Sequence, residues 1–129
     1  MILDSSAALA VLLDEPERAA FRDQIVSARR RIMSSVTFLE AAIALFAKRG
    51  EAALAELDVW VEAADIEVVP FTAEHARIAR RAYVVYGKRS HPAALNFGDC
   101  ASYALAVAEG EPLLYKGDDF RQTNVESAL

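Results

Sequence analysis

Met1-Ile2-Leu3-Asp4-Ser5-Ser6 opens the chain, a short apolar run that ends on a carboxylate and two hydroxyls. It passes at once into Ala7-Ala8-Leu9-Ala10-Val11-Leu12-Leu13. The run predicts a buried strand, Met1–Asp4, that delivers an acid at its C-terminal tip. The stretch after it predicts a helix to about Leu13, capped by Asp4 or the serines. Open α/β sheets bind ligands outside the carboxyl ends of their strands, so Asp4 stands where such a fold does its chemistry. Further along, Glu40, Asp99 and the pair Asp118-Asp119 recur at similar junctions. Acids gathered with little basic compensation repel one another unless a cation lies between them. A divalent-metal site is the leading expectation.

The rest of the chain repeats the strand–helix alternation. Pro16 suits the first turn of a helix running to about Ser27, with Ala19, Ala20, Ile25 and Val26 inward. Ile32-Met33-Ser34 predicts a strand, and Ser35 or Thr37 can cap a helix that runs to Lys48-Arg49 and stops at Gly50. Glu51 to about Ala64 has helical spacing at Leu54, Leu57 and Trp60 or Val61. Ile66-Glu67-Val68-Val69-Pro70 is a β-branched strand stopped by proline, and Thr72 leads a helix through Tyr86. After a polar loop, Gly87 to Pro92, a helix from Phe97 to Glu109 ends at Gly110. Pro112 to Tyr115 forms the last clear strand, and the tail Val125 to Leu129 can add a short edge strand. Alternating strands and helices imply right-handed crossovers and a three-layer α/β/α sandwich with a parallel sheet of four to five strands.

A length of 129 residues without linker, repeat or low-complexity tract predicts a single domain over residues 1–129 with a real core. At 54% hydrophobic and 26% charged, it has the composition of a soluble globular protein. The net charge of −5 excludes nucleic-acid binding by bulk electrostatics, but not a nuclease with a local basic rim. Cys100 stands alone, which excludes a disulfide framework or a cysteine zinc site and suits a reducing cytosol. The N-terminal apolar stretch is bracketed by Asp4 and Asp14 and is too short to span a bilayer, so a cytoplasmic protein with no membrane partner is expected.

Each acid has a plain structural alternative. Asp4 can be only a helix cap. Glu40 shares a helical face with Val36, Ile43 and Ala47, which puts its carboxylate in or beside an apolar stripe. Carboxylates are seldom buried without a partner. Asp99 shares a face with Tyr103, Ala106 and Val107; Asn96 can cap that helix and free Asp99, whose alternative role is a capping-box acid. Asp118-Asp119 follows Gly117 and also reads as turn chemistry. Together they favour a metal, since Mg2+ and Mn2+ take hard oxygen ligands and act on phosphodiesters. His75, read as mid-helix, and His91, in the loop, are weaker candidates. Arg77, Arg80, Arg81, Lys88 and Arg89 form the best-placed cationic rim for a nucleic-acid backbone, with Lys88 and Arg89 the candidate RNA contacts.

In four of these stretches the chain resembles a PIN-domain ribonuclease, and more narrowly a VapC-type toxin of bacterial type II toxin–antitoxin systems. The resemblance covers essentially the whole length. It rests on Ile2-Leu3-Asp4-Ser5-Ser6-Ala7, Ser35-Val36-Thr37-Phe38-Leu39-Glu40, Leu95-Asn96-Phe97-Gly98-Asp99-Cys100 and Leu113-Leu114-Tyr115-Lys116-Gly117-Asp118-Asp119-Phe120. By position it implies that Asp4, Glu40 and Asp99 are the catalytic, metal-binding acids, with Asp4 and Asp99 the usual direct ligands and Ser6 a supporting hydroxyl. The family's fourth acid commonly stands three residues before the aromatic, where this chain has Gly117; Asp119 is then the substitute and Asp118 the second choice. Relatives with this glycine often follow with Thr-Asp, whereas here Thr123 precedes Asn124. The resemblance further implies an Mg2+- or Mn2+-dependent endoribonuclease acting on transfer or ribosomal RNA and inhibiting translation. A homodimer and a cognate VapB-like antitoxin come with it, the antitoxin tail lying on the helices of Ala7–Leu13 and Val36–Phe46.

Two other readings stand beside it. A haloacid-dehalogenase-type phosphatase needs a second acid two residues after its aspartyl nucleophile, where this chain has Ser6. A PIN-like interaction module without catalysis would show little metal-dependent stabilisation.

Overall fold

The computed structural model describes residues 1–129, and in it the apolar runs become four parallel strands in the order β3-β2-β1-β4. These are β1 (Ile2–Leu3), β2 (Arg31–Ser34), β3 (Ile66–Val69) and β4 (Leu113–Leu114). Ile2 pairs with Ile32 on one side and Leu113 on the other, and Arg31 to Ser34 run in register with Ile66 to Val69. Successive strand residues point to opposite faces. Ile2, Ile32 and Leu113 therefore enter one core cluster, while Leu3, Met33 and Leu114 enter the other. The first cluster is closed by α5 (Ala73–Tyr86) and α6 (Phe97–Glu109), the second by α1 (Ser5–Leu12), α2 (Arg18–Ser27), α3 (Ser35–Arg49) and α4 (Ala52–Ala63). Helices on both faces of a parallel sheet make the expected three-layer α/β/α arrangement. The chain leaves β1 toward β2 and β3, then returns to the other side of β1 as β4. The strand order thus reverses at β1/β4, the position at which such sheets open a crevice.

The structure revises several local expectations. The tail contributes a single bridge, Leu113 to Ser127, rather than a fifth strand, because only Leu113 exchanges backbone hydrogen bonds with it. The second helix begins at Arg18, since Asp14 turns the chain at positive φ and Pro16, lacking an N–H, sits in the turn. Its inner face is Phe21 and Ile25; Ala19, Ala20 and Val26 face outward. Ser34, not Ser35 or Thr37, caps α3 by accepting from the Val36 N–H. The buried face of α3 is Thr37, Ala41 and Leu45, so Ile43 and Ala47 are exposed and Glu40 lies at the margin of the core. On α6, Val107 likewise turns outward while Tyr103 and Ala106 are buried.

Candidate active site

Asp4 ends β1 and caps α1, and it is almost wholly buried, at 3% exposure. Its Oδ2 accepts from the Ser6 N–H at 3.0 Å and the Ser6 hydroxyl at 2.5 Å, while Oδ1 accepts from the Ser102 hydroxyl at 2.6 Å. Ser6 Oγ also accepts from the Lys116 N–H at 3.0 Å, which ties the first turn of α1 to the end of β4. Glu40 arrives from α3 and takes a short hydrogen bond from the Ser5 hydroxyl. Its carboxylate lies against Gly98 in the first turn of α6, where any Cβ would collide with it. Burial raises the Glu40 pKa, the Ser5 hydrogen bond opposes the rise, and the Asp4 charge adds to it.

Asp99 carries a local duty as well as a place in the cluster. Its Oδ2 accepts from the Asn96 N–H at 2.9 Å and Asn96 Oδ1 accepts from the Asp99 N–H at 2.9 Å, a reciprocal capping box. Asn96 does not free Asp99 from capping, as the sequence suggested; the cap fixes the Asp99 side chain and leaves Oδ1 without a protein donor. Burial pushes the Asp99 carboxyl up to about 7; the Asn96 N–H opposes this, and the charges of Asp4, Asp119 and Glu40 add to it. Asp119 begins a 3-10 turn, Asp119–Gln122, reached through Gly117 at φ +97°, a conformation that glycine adopts without strain. Asp118 instead pairs with Arg121 at 3.3 Å on the exposed surface and is not among the charges that Asp99 feels.

The structure thus brings Asp4, Glu40, Asp99 and Asp119 into one electrostatic neighbourhood, with Ser6 beside Asp4 and Asp118 turned away. Lys88 lines a groove of about 640 Å3 between α5 and the start of α6, together with Phe71, Arg80, Tyr83, Asn96 and Phe97. Arg77 and Arg81 line a different groove, with Tyr103 and Asn124, because a helix cannot present all its positions on one side; the expected cationic cluster is two surfaces. Lys88 and Arg89 are exposed and enter no ion pair. His75 is buried at the third position of α5, accepting from the Thr72 N–H through Nδ1, and His91 packs edge-on against Tyr86. Both are structural in their contacts.

Ser5, Gly98 and Ser102 also touch these acids, Thr37 touches Ser102, and none was a site candidate from the sequence. A usable signal was present. Ser102 lies three residues after Asp99 and Thr37 three before Glu40, each a hydroxyl one helical turn from an acid.

The donor set consists of hard oxygens and holds a carboxyl whose ionisation is opposed by burial and, to a lesser degree, by neighbouring carboxylates, a condition a divalent cation relieves. No group of three Asp, Glu, His or Cys side chains is disposed to hold a metal ion by itself. Mg2+ and Mn2+ need only one or two carboxylates, with waters completing the shell, and Asp4 and Asp99 are of that type.

Comparison with known proteins agrees with this geometry. The PIN domain family matches residues 1–126. Ribonuclease VapC28 of Mycobacterium tuberculosis is 47% identical over 130 residues, covering 100% of this chain and 98% of that protein. Ribonuclease VapC of Mycolicibacterium smegmatis is 44% identical over 125 residues, covering 97% of each. Among solved structures, the sarcin–ricin loop cleaving toxin VapC20 of M. tuberculosis superposes with a TM-score of 0.78 at 17% identity, over 96% of this chain and 95% of that one. VapBC2 of Rickettsia felis, bound to a promoter DNA fragment, gives 0.76 at 14% identity, over 98% and 94%. With the family match spanning nearly every residue, and close relatives matching from end to end, the chain belongs to the PIN-domain family and, within it, to the VapC ribonucleases.

Proposed function

We propose that this chain, acting as a single unit over residues 1–129, is a divalent-metal-dependent endoribonuclease that serves as the toxin of a toxin–antitoxin pair. The observation that carries the reading is the convergence of carboxylates from β1, α3, α6 and the turn after β4, whose charges add to the burial that raises Asp99 to about 7. Asp4 and Asp99 are the groups assigned to hold Mg2+ or Mn2+, with Asp119 next and Asp118 last. The ion supplies Lewis acidity toward a phosphodiester and toward the water that attacks it.

The protein's own groups do the rest. Ser6 fixes one face of Asp4 and couples it to the β4 turn. Glu40, anchored through Ser5 and with a raised pKa, is placed to accept a proton at its free oxygen. Lys88, with Arg89 beside it, supplies the positive approach that an anionic protein needs toward RNA. VapC20 cleaves the sarcin–ricin loop, which makes structured ribosomal RNA a reasonable first substrate alongside transfer RNA.

Two partner surfaces fit the remaining features. Solved toxin–antitoxin complexes share this fold. A groove of about 430 Å3 lined by Leu12, Ile25, Val26 and Trp60 is apolar enough to receive an antitoxin tail. Leu39, Ile43 and Phe46 stand exposed on α3, the other helix on which an antitoxin tail is expected to lie. No helix is long and apolar enough to cross a membrane, and the cytoplasm is the proposed site of action. Expression of the chain alone should arrest bacterial growth, and co-expression of the adjacent small reading frame should relieve the arrest. Normal growth with soluble, intact protein would contradict the toxin reading.

A further inference from the structure

Behind Asp4 lies a buried polar chain of two hydroxyls. Ser102 and Thr37 are both fully buried, and Thr37 Oγ1 stands 3.1 Å from Ser102 Oγ. Ser102 has one proton, and it is donated to Asp4 Oδ1 at 2.6 Å. Thr37 must therefore be the donor to Ser102, and the chain has a direction, from Thr37 through Ser102 to Asp4. Its members come from α3, α6 and the end of β1, the elements that carry Glu40, Asp99 and Asp4. An apolar pair would fill these interior positions without the cost of burying two hydroxyls.

We infer that Ser102 and Thr37 are positioning residues that fix the Asp4 carboxylate for the divalent ion, an inference that rests on the metal-dependent reading above. With the Ser102 proton on Oδ1 and both Ser6 donors on Oδ2, the carboxylate cannot rotate, and its remaining lone pairs have a fixed direction. Because the relay joins α3 to α6, it also sets the spacing between the helices that carry Glu40 and Asp99. Groups that orient a metal-ligating carboxylate in this way govern affinity for the ion.

The test is calorimetric titration of Mn2+ into metal-free protein, with no RNA present. Ser102→Ala should weaken Mn2+ binding by about tenfold or more, the range typical of lost ligand-orienting contacts. Thr37→Val should weaken it less, and Thr37→Ser, which keeps the hydroxyl, should restore it. A purely structural role predicts a lower melting temperature with unchanged Mn2+ affinity, and that result would overturn the inference. So would Thr37→Ser binding no better than Thr37→Val, a comparison that decides the matter if Ser102→Ala fails to fold. Failure of the unaltered chain to bind Mn2+ would overturn the metal-dependent reading itself and the relay with it. Normal binding by the unaltered chain together with normal binding by folded Ser102→Ala would remove only the relay.

Discussion

The carboxylate of Glu40 lies directly against the Cα of Gly98, in space that any side chain at position 98 would occupy. A side chain at position 98 and the Glu40 carboxylate as placed therefore exclude one another. Gly98→Ala should displace the Glu40 carboxylate and lower RNA cleavage by on the order of tenfold to a hundredfold, the cost of a small misplacement in an active site. The helix itself should tolerate the change, because alanine favours helical backbone. A cleavage rate equal to that of the unaltered chain would show that this contact does not matter.

The burial of Asp99, with the acids around it, has a thermodynamic signature in the metal-free protein. Its carboxyl titrates near 7 when folded, against 3.8 as the ordinary value. Between those values the folded state binds the extra proton, so the contribution of Asp99 to stability falls as pH rises and is lowest above about 7. Asp99→Asn keeps an acceptor for the Asn96 N–H and removes the charge. It should raise the melting temperature at pH 8 and change it little at pH 4, measured by calorimetry without metal. An equal effect at both pH values would contradict the assignment.

Asp119 and Asp118 are neighbours in sequence with different surroundings. Asp119 bears on Asp99, while Asp118 pairs with Arg121 at the surface. Asp119→Asn should reduce cleavage at saturating metal well beyond any effect of Asp118→Asn, because an exposed pair of this kind contributes little. A larger loss at Asp118 would reverse the order.

Lys88 lines the groove beside Asn96, and Arg77 and Arg81 line another. Neutralising Lys88 and Arg89 together should weaken RNA binding and lower the slope of its salt dependence by roughly one to two ions. The same change at Arg77 and Arg81 should leave that slope near its original value. An unaltered slope in the Lys88/Arg89 variant would place the RNA path elsewhere.

The fold was legible because its strands are short, apolar and followed by helices with strong stops, as in Ile2-Leu3-Asp4 and the Gly50 and Gly110 ends. Asp4, Asp99 and Asp119 do stand where an element begins, but Glu40, expected at a junction too, lies inside α3. Register and facing were harder. Glu40 looked like part of the inward stripe with Ile43, yet the core takes Thr37, Ala41 and Leu45. A helix turned by one position exchanges these faces, and only packing decides between them. The tail looked like a strand, but only Leu113 pairs with it. Ser102 could be placed one helical turn from Asp99, but its actual partners, Asp4 and Thr37, lie far away in sequence and only the packed fold brings them to it.

The central claim is that these carboxylates act through a divalent ion on RNA. Its most direct test is cleavage of ribosomal and transfer RNA by the purified chain, free of any antitoxin, as Mg2+ or Mn2+ is added and then chelated. Cuts at discrete sites should appear with the metal, vanish with the chelator, and be absent in Asp99→Asn at every metal concentration. Cleavage that persists under chelation, or that Asp99→Asn performs undiminished, would contradict it.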